Sequence, residues 1–133
     1  MILLDTHALV WFAEDNPRLG RRTTALVNAA LLREEVTVSA ISFWGITMLV
    51  EKRRLRLELP AREVRRKVLE QGIREIALTG DVAIEAARLG GFHGDPADRM
   101  IVATAQSSDA TLVTADDAIL TWRGRLNTQD ARR

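Results

Sequence analysis

The stretch His93-Gly94-Asp95-Pro96-Ala97-Asp98-Arg99-Met100-Ile101-Val102-Ala103-Thr104-Ala105 decides how the chain is read. Asp95 has the side chain of a helix N-cap. Pro96 follows at the first helical position, where a missing N–H costs nothing. Asp98 then falls in the first turn, where the helix dipole favours a negative charge. Met100 to Ala105 is almost wholly apolar, which predicts a helix buried on most sides. A carboxylate is thereby fixed at the mouth of a rigid helix. Taken alone, the stretch describes a well-capped core helix and nothing more.

Working outward, two short apolar runs end in acids. Ile2-Leu3-Leu4-Asp5-Thr6 is one and Thr111-Leu112-Val113-Thr114-Ala115-Asp116-Asp117 is the other. Both read as buried parallel strands with carboxylates beyond their last residues. Ligands of open α/β sheets bind beyond the carboxyl ends of the strands. Asp5, Asp98 and Asp116 are therefore expected to meet at one end of one sheet. Carboxylates gathered without a cation repel one another, and a divalent metal relieves that repulsion. Their hard oxygens suit magnesium, with manganese as a substitute.

Composition limits the alternatives. With 133 residues, 47% hydrophobic and 28% charged, the chain reads as one globular domain spanning residues 1–133. Nineteen basic against 18 acidic residues leave a net charge of +1, so a nucleic-acid partner must be argued from where the charges sit. No cysteine is present, which excludes disulfides, thiolate metal sites and a cysteine nucleophile. Two histidines are too few for a histidine-rich metal site. No transmembrane-length apolar stretch and no basic leader is found, so the expected location is the cytoplasm.

Between the acidic segments, strands alternate with helices. Thr6 is read as the cap of a helix through Ala13, with His7 in its first turn. A second helix over Gly20 to Arg33 turns Leu26, Val27, Ala30 and Leu31 inward. Val36-Thr37-Val38 is the second strand. Ser42 opens a third helix through Val50, with Phe43, Trp44 and Met48 as packing surface. Pro60 opens a basic helix carrying Val64 and Val68. Arg74 to Leu78 is a third strand, and Thr79 opens a helix ended by Gly90-Gly91. Leu126-Asn127-Thr128 adds an edge strand, and Asp130 to Arg133 is expected to fray. This alternation predicts a mostly parallel sheet with helices on both faces. The apolar residues of the third helix, with Val64 and Val68, exceed what one face of a small sheet needs and are expected to form an interface. The basic group Lys52, Arg53, Arg54, together with Arg99 near the acids, is the candidate for contacts with RNA phosphates.

With these acids in view, the whole chain resembles a PIN-domain ribonuclease, in particular a VapC toxin of a VapBC toxin–antitoxin pair. Leu3-Leu4-Asp5-Thr6-His7, Ser39-Ala40-Ile41-Ser42-Phe43-Trp44, Asp95-Pro96-Ala97-Asp98-Arg99 and Leu112-Val113-Thr114-Ala115-Asp116 carry the resemblance, in the family's order. It implies a three-layer α/β/α domain and a magnesium-dependent endoribonuclease. The acidic set maps onto Asp5, Asp98 and Asp116, with Asp95, Thr6 and Thr114 as supporting residues. It also implies a VapB-type antitoxin and a homodimer.

One position departs from the pattern: Gly45 stands where the family has glutamate. Glu51 cannot replace it, because six residues on it points about 240° around the helix. The chain is then either a naturally weakened variant or one that carries a detoxifying change, which a single base substitution achieves. A PIN scaffold that binds RNA or its antitoxin without cleaving is the alternative function. A receiver-type phosphotransfer domain is disfavoured, since no lysine follows Leu112-Val113 or Ile76-Ala77-Leu78.

Overall fold

The computed structural model describes all residues, 1–133. Five strands form one sheet: β1 (Ile2–Leu4), β2 (Val36–Ser39), β3 (Arg74–Ile76), β4 (Thr111–Thr114) and β5 (Asn127–Asp130). Their order is β3-β2-β1-β4-β5, and every neighbouring pair is parallel. Seven helices connect them: α1 (Thr6–Ala13), α2 (Arg21–Leu32), α3 (Ile41–Glu51), α4 (Ala61–Glu70), α5 (Gly80–Arg88), α6 (Pro96–Ser107) and α7 (Asp117–Leu120). The three-layer α/β/α arrangement expected from the alternation is thus present, with a sheet that is parallel throughout.

The strands are short, so each contributes only one or two side chains to each face. Ile2, Leu4, Val36, Val38 and Val113 join α1, α2, α4 and Ile46 of α3 in the larger core. Leu3 and Leu112 point the other way, onto Ile101, Val102 and Ala105 of α6. α5 then packs on α6 through Val82, Ala86 and Ala103. Central strands that are apolar on both sides follow directly from helices covering both faces.

The chain leaves β1 toward β2 and β3 on one side and returns to β4 and β5 on the other. The switch point therefore lies between β1 and β4, whose register pairs Leu4 with Val113. This is where a parallel α/β sheet opens a crevice, and both of its strands run out into acids.

Several local expectations are corrected. Asp5, not Thr6, is the N-cap of α1: its Oδ1 accepts from the Ala8 N–H at 2.9 Å, and Thr6 is already helical. Leu26 is an exposed residue of α2, which buries Thr23, Val27 and Ala30. Val64 and Val68 are buried in the larger core and leave the expected interface. The C-terminal residues do not fray. Ala131 is buried and its N–H donates to the Thr114 carbonyl, while the Thr23 N–H and hydroxyl both donate to the Arg133 carbonyl at 2.9 Å. The third helix also splits the expected packing surface. Phe43 packs against the core, but Trp44 is 55% exposed.

Candidate active site

Three helix N-termini converge on the switch point, and each is capped by an aspartate. Asp5 caps α1, Asp95 caps α6 by accepting from the Asp98 N–H at 2.8 Å, and Asp116 caps α7 by accepting from the Ala118 N–H at 2.8 Å. Capping explains why these carboxylates are held in place, since each satisfies a backbone donor that the helix leaves open. Each still has oxygen lone pairs to offer to something else.

Asp5, Asp95, Asp98 and Asp116 line one cleft of about 470 Å³. Thr114 ties the set together. Its hydroxyl donates to Asp5 Oδ2 and accepts from the Asp116 N–H at 3.0 Å. Asp5 is itself buried, at 7% exposure. Burial pushes its carboxyl above the ordinary range, the Thr114 hydroxyl and the Ala8 N–H pull it back, and Asp116 adds repulsion. Asp98 is pushed up to about 7, first by burial and then by the charges of Asp95, Asp116 and Asp5. None of the ion pairs in the structure involves any of these four acids.

The donors are all hard carboxylate oxygens, and the charge is uncompensated, as a divalent cation requires. No three acidic or histidine side chains are gathered closely enough to chelate an ion unaided. The arrangement suits a cation that keeps part of its water shell and takes one or two carboxylates at a time, which is how magnesium binds.

Gly45 faces this cleft from α3. Its backbone is helical, so nothing in its conformation requires glycine. A Cβ built there would meet only Thr6, with Oγ1 at 3.4 Å and Cγ2 at 3.5 Å, which is ordinary contact. A side chain at position 45 would enter the cleft beside Thr6, whose hydroxyl reaches Ser42 Oγ at 3.4 Å and links α1 to α3.

The basic candidates separate. Lys52 and Arg54 line the cleft. Arg53 adopts a left-handed turn (φ 57°) and lines a different depression with Val50 and Leu55, so it leaves the site. Arg99 also leaves it. Its guanidinium donates to the carbonyls of Ala86, Ala87, Leu89 and Phe92 at 2.7–3.2 Å, clamping the end of α5 and the loop leading to Asp95. Four carbonyls occupy most of its five donors, leaving little for a phosphate. Sequence reading missed Trp11 as a cleft residue and took Trp44 for packing. Both line the cleft, as does His7, which leans on Trp11 with ring centres 6.2 Å apart. The spacing Trp44, Met48, Lys52 was the available signal, because i, i+4, i+8 residues share one helix face.

Comparison with known proteins agrees with the fold. The PIN domain family matches residues 2–121. Ribonuclease VapC22 of Mycobacterium tuberculosis is 33% identical over 123 residues, covering 92% of each chain. Among solved structures, FitAcB from Neisseria gonorrhoeae superposes with a TM-score of 0.65 at 24% identity, covering 98% of each chain. A toxin–antitoxin complex from Klebsiella pneumoniae gives 0.64 at 18% identity, again over 98% of each chain. At such identities these two structures speak for the fold alone.

Proposed function

The chain belongs to the PIN-domain family, and on that premise we propose that it is a VapC-type, magnesium-dependent endoribonuclease toxin, paired with a VapB-type antitoxin. One observation carries the reading. Four carboxylates line a single cleft at the sheet's switch point, and none of them is held in an ion pair.

Asp5, Asp98 and Asp116 are the residues that would hold Mg2+, or Mn2+ in its place. When bound, the ion supplies Lewis-acid chemistry: it acidifies water and offsets the charge that builds on a phosphodiester under attack. The chain's own residues do the rest. Thr114 fixes Asp5 relative to Asp116. Asp95 anchors the first turn of α6, and with it Asp98. Near neutral pH and without a cation, Asp98 carries a proton part of the time. Deprotonated, Asp98 would offer both carboxylate oxygens to such a cation. Lys52 and Arg54 on the cleft wall are placed to hold the RNA chain by its phosphates.

Restraint by an antitoxin follows from the same electrostatics. An arginine from the partner would give the carboxylates a cation with bidentate hydrogen bonding. One of the two named structural relatives is a toxin–antitoxin complex, so a chain of this fold is compatible with the pairing. The protein is expected to work in the cytoplasm as a homodimer; no helix is long and apolar enough to cross a membrane.

Gly45 favours a second reading, a scaffold that binds without cleaving. A magnesium titration of RNA cleavage by the chain and by Gly45→Glu separates the two. The expected result is weak cleavage that Gly45→Glu raises at least tenfold, on the order of what a lost supporting ligand costs a metal site. No magnesium-dependent cleavage by either protein would overturn the nuclease reading and leave the scaffold.

A further inference from the structure

The cleft that holds the acids also carries aromatic rings. α3 presents Trp44, Gly45, Met48, Leu49 and Lys52 to it, one continuous stripe of the helix, and Trp11 and His7 close the stripe from α1. The three tryptophans of the chain are treated differently. Trp122 is tied down: its ring N–H donates to the Gly90 carbonyl at 3.0 Å, and its edge packs on Phe92 with centres 5.7 Å apart. The ring N–H groups of Trp11 and Trp44 donate to nothing within the protein, and Trp44 is 55% exposed. Large aromatic rings held at the mouth of a charged cleft are otherwise costly surface.

We infer that Trp44, in the cleft that Trp11 also lines, is a stacking platform for one unpaired nucleobase of single-stranded RNA. The inference rests on the ribonuclease reading and deepens it by naming how substrate is gripped. The charge pattern selects this occupant. From Trp44 to Lys52 the helix rises about 12 Å, so one wall offers a ring, then two thioether or aliphatic side chains, then the cations Lys52 and Arg54. A nucleotide chain presents the complementary order: a π-face, a sugar, then phosphates. Stacking on aromatic rings is how proteins bind splayed, unpaired bases, and double-stranded RNA cannot supply one. An aliphatic helix from a protein partner would use the apolar side chains but would leave the free ring N–H groups and the cations unanswered.

The probe is a non-cleavable 2′-O-methyl RNA 12-mer without secondary structure, with a fully abasic 12-mer as its control. Binding is measured in magnesium for the full chain, Trp44→Ala and Trp44→Phe, by anisotropy and by quenching of indole fluorescence. Trp44→Ala should weaken the base-bearing oligomer about tenfold, within the usual range for losing one stacked base. It should leave the abasic oligomer unchanged, and Trp44→Phe should retain most of the affinity. Equal weakening of both oligomers, unchanged binding of both, or weakened binding of a VapB-type antitoxin alone would each overturn the platform. Failure of the full chain to bind any RNA would overturn the ribonuclease reading itself, and the platform with it.

Discussion

Two groups of carboxylates lie at the carboxyl end of the sheet, and they differ in what faces them. Asp117 and Asp130 share Arg132, which donates to Asp117 Oδ1 at 2.9 Å and to both Asp130 oxygens at 2.9 Å. That hydrogen bonding holds the Asp130 carboxyl below its ordinary range. Asp116 is the immediate neighbour of Asp117 in the chain, yet it shares a cleft with Asp5, Asp95 and Asp98, and none of these four forms an ion pair. There the Asp98 carboxyl is pushed the opposite way, up to about 7. Adjacent acids thus enter opposite environments. One pair with a cation is a solved electrostatic problem, while four acids without one are a demand for a ligand.

The largest expected effect separates the two groups by chemistry. In the Gly45→Glu background, Asp98→Asn should lower magnesium-dependent cleavage at least about 100-fold, the upper range for disturbing a metal site. Asp117→Asn should change it less than about twofold, because an exposed ion pair contributes little. Comparable losses in both variants would erase the distinction between the groups.

A middling effect concerns pH in EDTA. Asp98 has an ordinary value of 3.8 raised to about 7, so the folded state binds its proton more tightly than the unfolded state. The stability this gives is fully present below about pH 4 and is lost as pH rises through about 7. The melting temperature should therefore fall across that window, Asp98→Asn should flatten the fall, and magnesium should raise the neutral-pH value. A flat profile in EDTA would mean that the four acids do not sense one another.

The smallest effect is expected at the satisfied group. Arg132→Ala leaves Asp117 without its cation and Asp130 with only the longer contact to Arg133 at 3.9 Å, so the melting temperature should drop slightly, and less so in high salt. A salt-independent drop larger than that of Asp98→Asn would show that the arginine group, not the cleft, is the electrostatically tense region.

Much of the fold could be read from local chemistry. Asp95-Pro96 announced the start of α6, the apolar triplets announced β1 and β4, and the strand–helix alternation announced a parallel sheet. The acids Asp5, Asp98 and Asp116 were legible because a strand end and a first helical turn are fixed by neighbouring residues. These are short-range matters: capping, proline geometry and hydrophobic period depend on a few consecutive positions. Other features depend on what arrives from far along the chain. Arg99 reads as a phosphate ligand until α5 brings four carbonyls to it. Arg53 reads like its neighbours until the turn after α3 aims it elsewhere. Trp44 and Phe43 are adjacent aromatics, and only the packing of α3 across α1, α4 and α6 sets one half-buried against the core and leaves the other in the cleft. Sequence specifies which groups a residue offers; the tertiary structure decides which of them are already spent, because hydrogen-bond partners and burial are supplied by segments distant in the chain.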